Sequence, residues 1–213
     1  MAPNEPLLAV AGFLAAVVVT LVDGRNAVTY AALAAALGLA PSVAGFYGPD
    51  AALVLGAAAA ATGLAGPLSS ALAHRVSWMA GVDPVVPVVA GAEALFGPRS
   101  VRVATAVLAL PAASWVSFNV PIGSASTVSG VLFPAALVWG CAGMRLLSAR
   151  TLADIAVGVA ALGISAAAAW FLSAGVDTIP GAATAAALAP CAAITAGWLR
   201  GRHAAARPAR SSA

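Results

Sequence analysis

Few side chains in this sequence could take part in chemistry. The acids are Glu5, Asp23, Asp50, Asp83, Glu93, Asp154 and Asp177, the histidines His74 and His203, and the cysteines Cys141 and Cys191. A metal centre needs several such ligands converging on one point, usually from short spacings such as C-x-x-C. Here the two cysteines stand fifty residues apart, and they read as small buried hydrophobes. One interfacial His74 and a His203 near the C-terminus cannot make the bis-histidine site of a membrane haem. No metal and no cofactor is expected. Asp154 and Asp177 stand near predicted helix N-termini, where a carboxylate satisfies free N–H groups and the helix dipole. A carboxylate inside a membrane would instead suggest a proton relay, but these two, like Asp23, lie near helix ends. The remaining polar candidates, Thr62, Ser114, Asn119, Ser165 and Thr184, fall within apolar runs. Ser and Thr there mostly bond backbone or a neighbouring helix.

The elements that must position these residues follow from composition. Of 213 residues 62% are hydrophobic and only 8% charged, against about 25% charged in a soluble domain. So little polar surface excludes a water-soluble enzyme, a secreted domain and a disordered chain, and leaves a polytopic membrane protein. Aromatics are 6%, and no basic–aromatic stripe for nucleic acid is present. Crossing a bilayer takes roughly 20 apolar residues in a helix. Polar punctuation cuts the chain into such pieces at 5–22, 27–46, 51–73, 103–120, 127–147, 152–174 and 179–199. The expected fold is therefore an all-α transmembrane bundle of about seven helices in one domain, 1–199, with a basic disordered tail at 200–213. The runs are continuous rather than alternating, which excludes a β-barrel. Residues 82–97 hold Asp83, Glu93, Pro84 and Pro87 and read as an interfacial or re-entrant segment rather than an eighth crossing. The Ala57–Ala61 run and Gly140-x-x-Gly143 offer close helix contact.

Arginine placement tests the count. Seven crossings put all ten arginines, including Arg25, Arg75, Arg145 and the tail from Arg200 to Arg210, on one face. The other face holds Glu5, Asp50 and Asp177 and no cation. This is a positive-inside pattern, with the N-terminus outside and the C-terminus in the cytoplasm of a cell's inner membrane. The first run lacks a basic region before it and reads as a retained helix rather than a signal peptide.

The order of landmarks along the chain resembles component E of hydrogenase-4 and formate-hydrogenlyase-type complexes. That subunit is a small seven-helix protein whose C-terminal part is related to the K-type subunit of complex I and the C-type subunit of Mrp antiporters. The resemblance rests on Arg25 followed by Tyr30, on Asp50 opening the third helix, and on Pro67-Leu68 with Ala73 and Arg75 at that helix's end. It continues in Ala94-Leu-Phe-Gly-Pro98, in Ser148-Ala-Arg150-Thr-Leu152 with Gly158, and in Asp177, Thr184 and Trp198-Leu-Arg200. The family carries a Lys in the third helix and a Glu followed by Asn in the sixth. Here those positions are Thr62, and Gly163 followed by Ile164. A relay needs groups that exchange protons, and Thr and Gly do not. The resemblance thus implies a non-catalytic subunit beside a large antiporter-like membrane subunit, in contact with the bilayer and with no nucleic-acid partner.

A second resemblance is to the CDP-alcohol phosphatidyltransferases, small polytopic enzymes with the pattern D-x2-D-G-x2-A-R-x8-G-x3-D-x3-D. With Asp83 as the third acid, Gly66 is kept and Asn26-x-x-Thr29 is similar to that family's first helix. The other three acids become Thr62, Ala65 and Pro87. One acid in four cannot hold a metal against a pyrophosphate, so this implies a degenerate lipid-metabolism protein at most.

Overall fold

The computed structural model describes residues 5–24, 26–80, 99–119, 128–149, 151–174 and 179–206. The described residues are almost wholly helical. The helices are α1 (Glu5–Leu21), α2 (Ala27–Tyr47), α3 (Pro49–Ala80), α4 (Arg99–Asn119) and α5 (Phe133–Leu147, entered through a π-helical turn at Val128–Leu132). They continue as α6 (Leu152–Ala174), α7 (Ile179–Ala186) and α8 (Leu188–Ala206). Five stretches are long and apolar enough to cross a membrane: Ala27–Tyr47, Pro49–Val76, Gly130–Leu147, Leu152–Leu172 and Ile179–Arg202. Two shorter apolar helices, Leu7–Leu21 and Ala106–Ser117, bring the number among the described residues to seven. The expected all-α transmembrane bundle is the fold observed.

Local chemistry sets the boundaries. Gly24 and Gly48 take φ of 109° and 90° in the turns after α1 and α2, a region glycine enters without a Cβ clash. Pro49 follows at the first position of α3, where its missing N–H loses nothing. The last expected span is broken at Ala187. Pro190 lacks the N–H that would close the turn onto the Ala186 carbonyl, which separates α7 from α8. The chain was expected to leave the bundle at residue 200, but α8 runs on to Ala206. The segment 82–97, Asp83 and Asp177 lie outside the described residues.

Helix direction sorts the ends. Gly12 of α1 lies against Pro134 of α5 and Val19 and Thr20 against Arg145, while Gly66 of α3 lies against Ala193 of α8 and Ser70 against Gly201, so these pairs run parallel. Gly38 of α2 meets Ala11 and Ala15 of α1, and Gly158 of α6 meets Ala142 and Leu146 of α5, so these run antiparallel. Consequently α1, α3, α5 and α8 all finish at one end, which carries Arg75, Arg145, Arg200 and Arg202, while Asp50 sits at the other. We call the first the arginine-bearing end.

The interior is built from alanine. Ala31, Ala32 and Ala35 of α2 and Ala160, Ala161, Ala167 and Ala168 of α6 are fully buried. In lipid, association is driven by close van der Waals contact rather than by hydrophobic burial, and small residues permit that approach. The helices α2 and α6 are central, with 56% and 61% of their spans buried, whereas α3 and the α7–α8 pair bury only 28% each. Tyr47 stacks on Phe171, ring centroids 6.0 Å apart, and ties α2 to α6 away from the arginine-bearing end.

Two expectations about close contact hold in part. A Cβ added at Gly140 would lie 3.3 Å from Ala109 Cβ of α4, and Ala58 and Ala59 are buried, whereas Gly143 has open space beside it and Ala57, Ala60 and Ala61 face outward. The tightest seam instead joins α3 and α8. A Cβ added at Gly197 would strike Ser69 and the Gly66 carbonyl, and one at Gly201 the Ser70 carbonyl. Ala193, Gly197 and Gly201 therefore form a small-xxx-small ridge that lies directly on the backbone of α3.

Candidate functional site

The described residues bring one cluster of ionisable groups together, and its centre is Arg145. Its side chain, 2% exposed, lies in the last turn of α5. Nε and Nη2 donate to Asp154 Oδ1 at 3.2 and 2.8 Å, and Nη2 also donates to Asp23 Oδ1 at 2.7 Å. Nη1 donates to the carbonyls of Val19 and Thr20 at 3.2 and 3.0 Å. These five contacts match the five N–H donors of a guanidinium. The two carbonyls belong to the last turn of α1, where acceptors lack an intrahelical donor and the dipole favours a cation. Arg145 thus closes α1, pairs with the turn after it, and reaches the start of α6.

Asp154 is held from both sides. Its Oδ2 accepts from the Thr151 N–H at 3.1 Å and from the Thr151 hydroxyl at 2.9 Å. The Asp154 N–H donates to Thr151 Oγ1 at 3.1 Å. This reciprocal capping box starts α6, with Asp in the place usually taken by Glu or Gln. One carboxylate therefore caps a helix with one oxygen and pairs Arg145 with the other. Asp23 is 34% exposed and forms the outer edge of the cluster.

Chemically, the arrangement is a lock. A guanidinium stays protonated at any ordinary pH, so it cannot pass a proton on. Both acids are engaged with it. Removing one partner of such a buried pair strands a charge and costs about 3–5 kcal/mol.

Of the residues singled out from the sequence, Asp23 and Asp154 belong to this cluster, and the other described ones fall elsewhere. Thr62 is fully buried, and its hydroxyl bonds back to the Ala58 carbonyl of its own helix at 2.6 Å. Ser165 bonds back to Ala161 at 2.8 Å, and Thr184, exposed, to Gly181 at 2.7 Å. Asn119 is exposed and donates to the Trp115 carbonyl at 2.9 Å. Gly163 is buried where α6 crosses the break between α7 and α8, and an added Cβ would meet Leu188 Cβ at 2.8 Å and the Ala185 carbonyl at 2.9 Å. A Glu side chain has no room there. Thr62 and Gly163 are thus packing positions in this bundle.

Cys141 is buried and Cys191 exposed, both as free thiols. No group of three or more metal-ligating side chains occurs among the described residues.

A second polar feature lies at the arginine-bearing end. A cavity of about 310 Å³ opens between the start of α2, the second half of α3 and the middle of α8. Asn26, Thr29, Gly66, Ser70, Ala193 and Arg200 line it. The phosphatidyltransferase-like landmarks Asn26, Thr29 and Gly66 therefore line one cavity, while Thr62 stands bonded within α3.

Sequence reasoning treated Arg145 only as a topology marker. A signal was present: Arg145 lies inside the apolar span 127–147, and Asp154 follows across a short polar turn. A cation inside a span with an acid at the start of the next points to an ion pair across the turn. Comparison with family models, with curated proteins and with solved structures returned no match to this chain.

Proposed function

We propose that this protein is a non-catalytic membrane subunit of an ion-translocating assembly of the complex I, hydrogenase or Mrp kind, packed beside a large antiporter-like subunit. The observation that carries this reading is the state of the two relay positions. Thr62 is spent on its own helix and Gly163 is filled by neighbouring backbone. The charged groups instead serve a fixed ion-pair network at one end of the bundle. Such a subunit scaffolds translocation carried out by its neighbour. The thinly buried α3 and α7–α8 leave large apolar side chains outward, Leu53, Leu64, Leu68 and Leu72 among them, as a face for lipid or for that neighbour.

In this reading the arginine-bearing end is cytoplasmic, the N-terminus is outside, and the host is the inner membrane. Purification in mild detergent from the native host checks the assembly. A large antiporter-like membrane subunit should co-purify, and a chain that runs alone removes the proposal. Orientation is read by labelling Ser100→Cys and Ala125→Cys in a background lacking Cys141 and Cys191. The first should react from the cytoplasm and the second from outside.

One observation favours a second reading, a degenerate phosphatidyltransferase-like protein of lipid metabolism. It is the convergence of Asn26, Thr29 and Gly66 on one cavity. Release of CMP from a CDP-alcohol lipid, abolished by Asp83→Ala, would replace the first reading with an active enzyme of that kind.

A further inference from the structure

Helix α3 buries little of its surface, and its outward face ends in a charge. Leu64, Leu68 and Leu72 are 66%, 67% and 57% exposed. Arg75, also exposed, follows them at the arginine-bearing end. At about 100° per residue these four positions fall within roughly 80° of arc, on one face of the helix. That face lies opposite the one formed by Gly66, Ser70 and Ala73, which meets α8. From Leu64 to Arg75 the helix rises about 16 Å, close to the ~15 Å of hydrocarbon in one leaflet of a bilayer.

We infer that this face binds an anionic phospholipid, with its phosphate at Arg75 and an acyl chain along Leu64, Leu68 and Leu72. Two observations choose that occupant. The first is bulk. A partner helix seats on small residues that let backbones approach, as at the α3–α8 seam. Three exposed leucines in line hold a second backbone off and match hydrocarbon instead. The second is charge. Arg75 closes the apolar strip, and no described carboxylate pairs with it. The acids at the same end, Asp23 and Asp154, are held by Arg145. An arginine at the edge of hydrocarbon keeps its stem on apolar surface and its head at the interface. Its planar fork meets two phosphate oxygens at once. A zwitterionic headgroup carries its own cation beside the phosphate, so the net attraction favours an anionic lipid. The inference rests on α3 alone and does not depend on the assembly proposed above, whose large subunit then docks away from this half of α3.

The test uses the full chain, reconstituted in nanodiscs of equimolar phosphatidylglycerol and phosphatidylcholine. Lipid retained on release is counted by native mass spectrometry, and phosphatidylglycerol should be retained selectively. Arg75→Gln should weaken that retention about fivefold, the effect of one arginine near the surface of an anionic membrane. Arg75→Lys, which keeps the charge, should preserve most of it. Arg202→Gln, across the seam on α8, should leave it unchanged. An equal loss in R202Q would mean that overall charge rather than this face attracts the lipid, and overturns the inference. A photo-cross-linking benzoylphenylalanine in place of Leu72 reports the occupant in native membranes whether or not the Arg75 variants fold. Attachment to an anionic phospholipid supports the inference, and attachment to a protein or to zwitterionic lipid alone overturns it. So does the absence of any preference for phosphatidylglycerol in the unaltered chain.

Discussion

The Arg145 corner and the α3–α8 seam hold the same end of the bundle by opposite means. At the corner, α1, α5 and α6 meet through a buried guanidinium whose donors reach two acids and two carbonyls. At the seam, α3 and α8 meet through glycine and alanine laid on backbone, and polar groups gather in the cavity beside the contact. The corner is closed and stoichiometric, with each donor matched. The seam is steric, made by small residues laid on backbone. Charge in a low-dielectric interior is stable only when matched in full, so a buried network fixes geometry and leaves little for a ligand. A small-residue seam needs no such matching and leaves hydroxyls and a guanidinium at its margin.

Several substitutions break or sharpen this contrast. The largest effect is expected from Arg145→Met, which leaves the carboxylate of Asp154 and the last carbonyls of α1 without their donor. A loss of about 3–5 kcal/mol is expected in reversible unfolding by denaturing detergent. A change below about 1 kcal/mol would mean that the corner is not the fastening described here. Asp154→Asn keeps a capping oxygen but removes the charge facing Arg145. About 1.5–3 kcal/mol is expected in the same measurement, the range for hydrogen bonds to charged groups. Gly197→Leu attacks the seam. Overpacking against the Gly66 carbonyl should destabilise by about 1–3 kcal/mol and leave the Arg145 contacts intact. Cysteine cross-linking between α3 and α8 should then fail, and an unaltered yield would show that the helices do not meet as described. Asp23→Asn is expected to cost about 1 kcal/mol or less, because Asp23 is a third exposed and shares Arg145 with a better partner. If it equals Asp154→Asn, the ranking inside the cluster is wrong. Smallest of all is Thr62→Val, within about 0.5 kcal/mol, since it loses one bond to its own helix. A loss of ion transport by the assembly in this variant, with folding unaltered, would show that Thr62 takes part in the relay after all.

Much of the fold was legible beforehand because hydropathy and punctuation act locally. The sixth span was read as 152–174 and observed as Leu152–Ala174, and the fifth ends at Leu147 as expected. The misses have local causes of another kind. Helix α3 starts two residues early, at Pro49, because proline suits a first helical position. It runs on to Ala80 because His74 and Arg75 are compatible with a helix that emerges from lipid. Helix α8 continues past Arg200 for the same reason. The site was less legible. Asp154 was singled out, yet its partner Arg145 was read only as an orientation mark. Gly163 and Thr62 were assigned by resemblance, and the bundle uses both for packing.

The sequence by itself determined that this chain is a bundle of apolar helices, roughly where each begins, and that its charges are too few to cover a water-facing surface. Those properties come from transfer free energies and from helix propensity, which depend on residue type and short spacing. Only the tertiary structure decided that Asp23, Arg145 and Asp154 form one buried network, and that Gly197 and Gly201 rather than Gly143 make the closest helix contact. Alanine-rich faces are nearly equivalent in sequence. Which of them meet depends on sub-ångström fit between backbones far apart along the chain, and that fit exists only once the whole bundle is assembled.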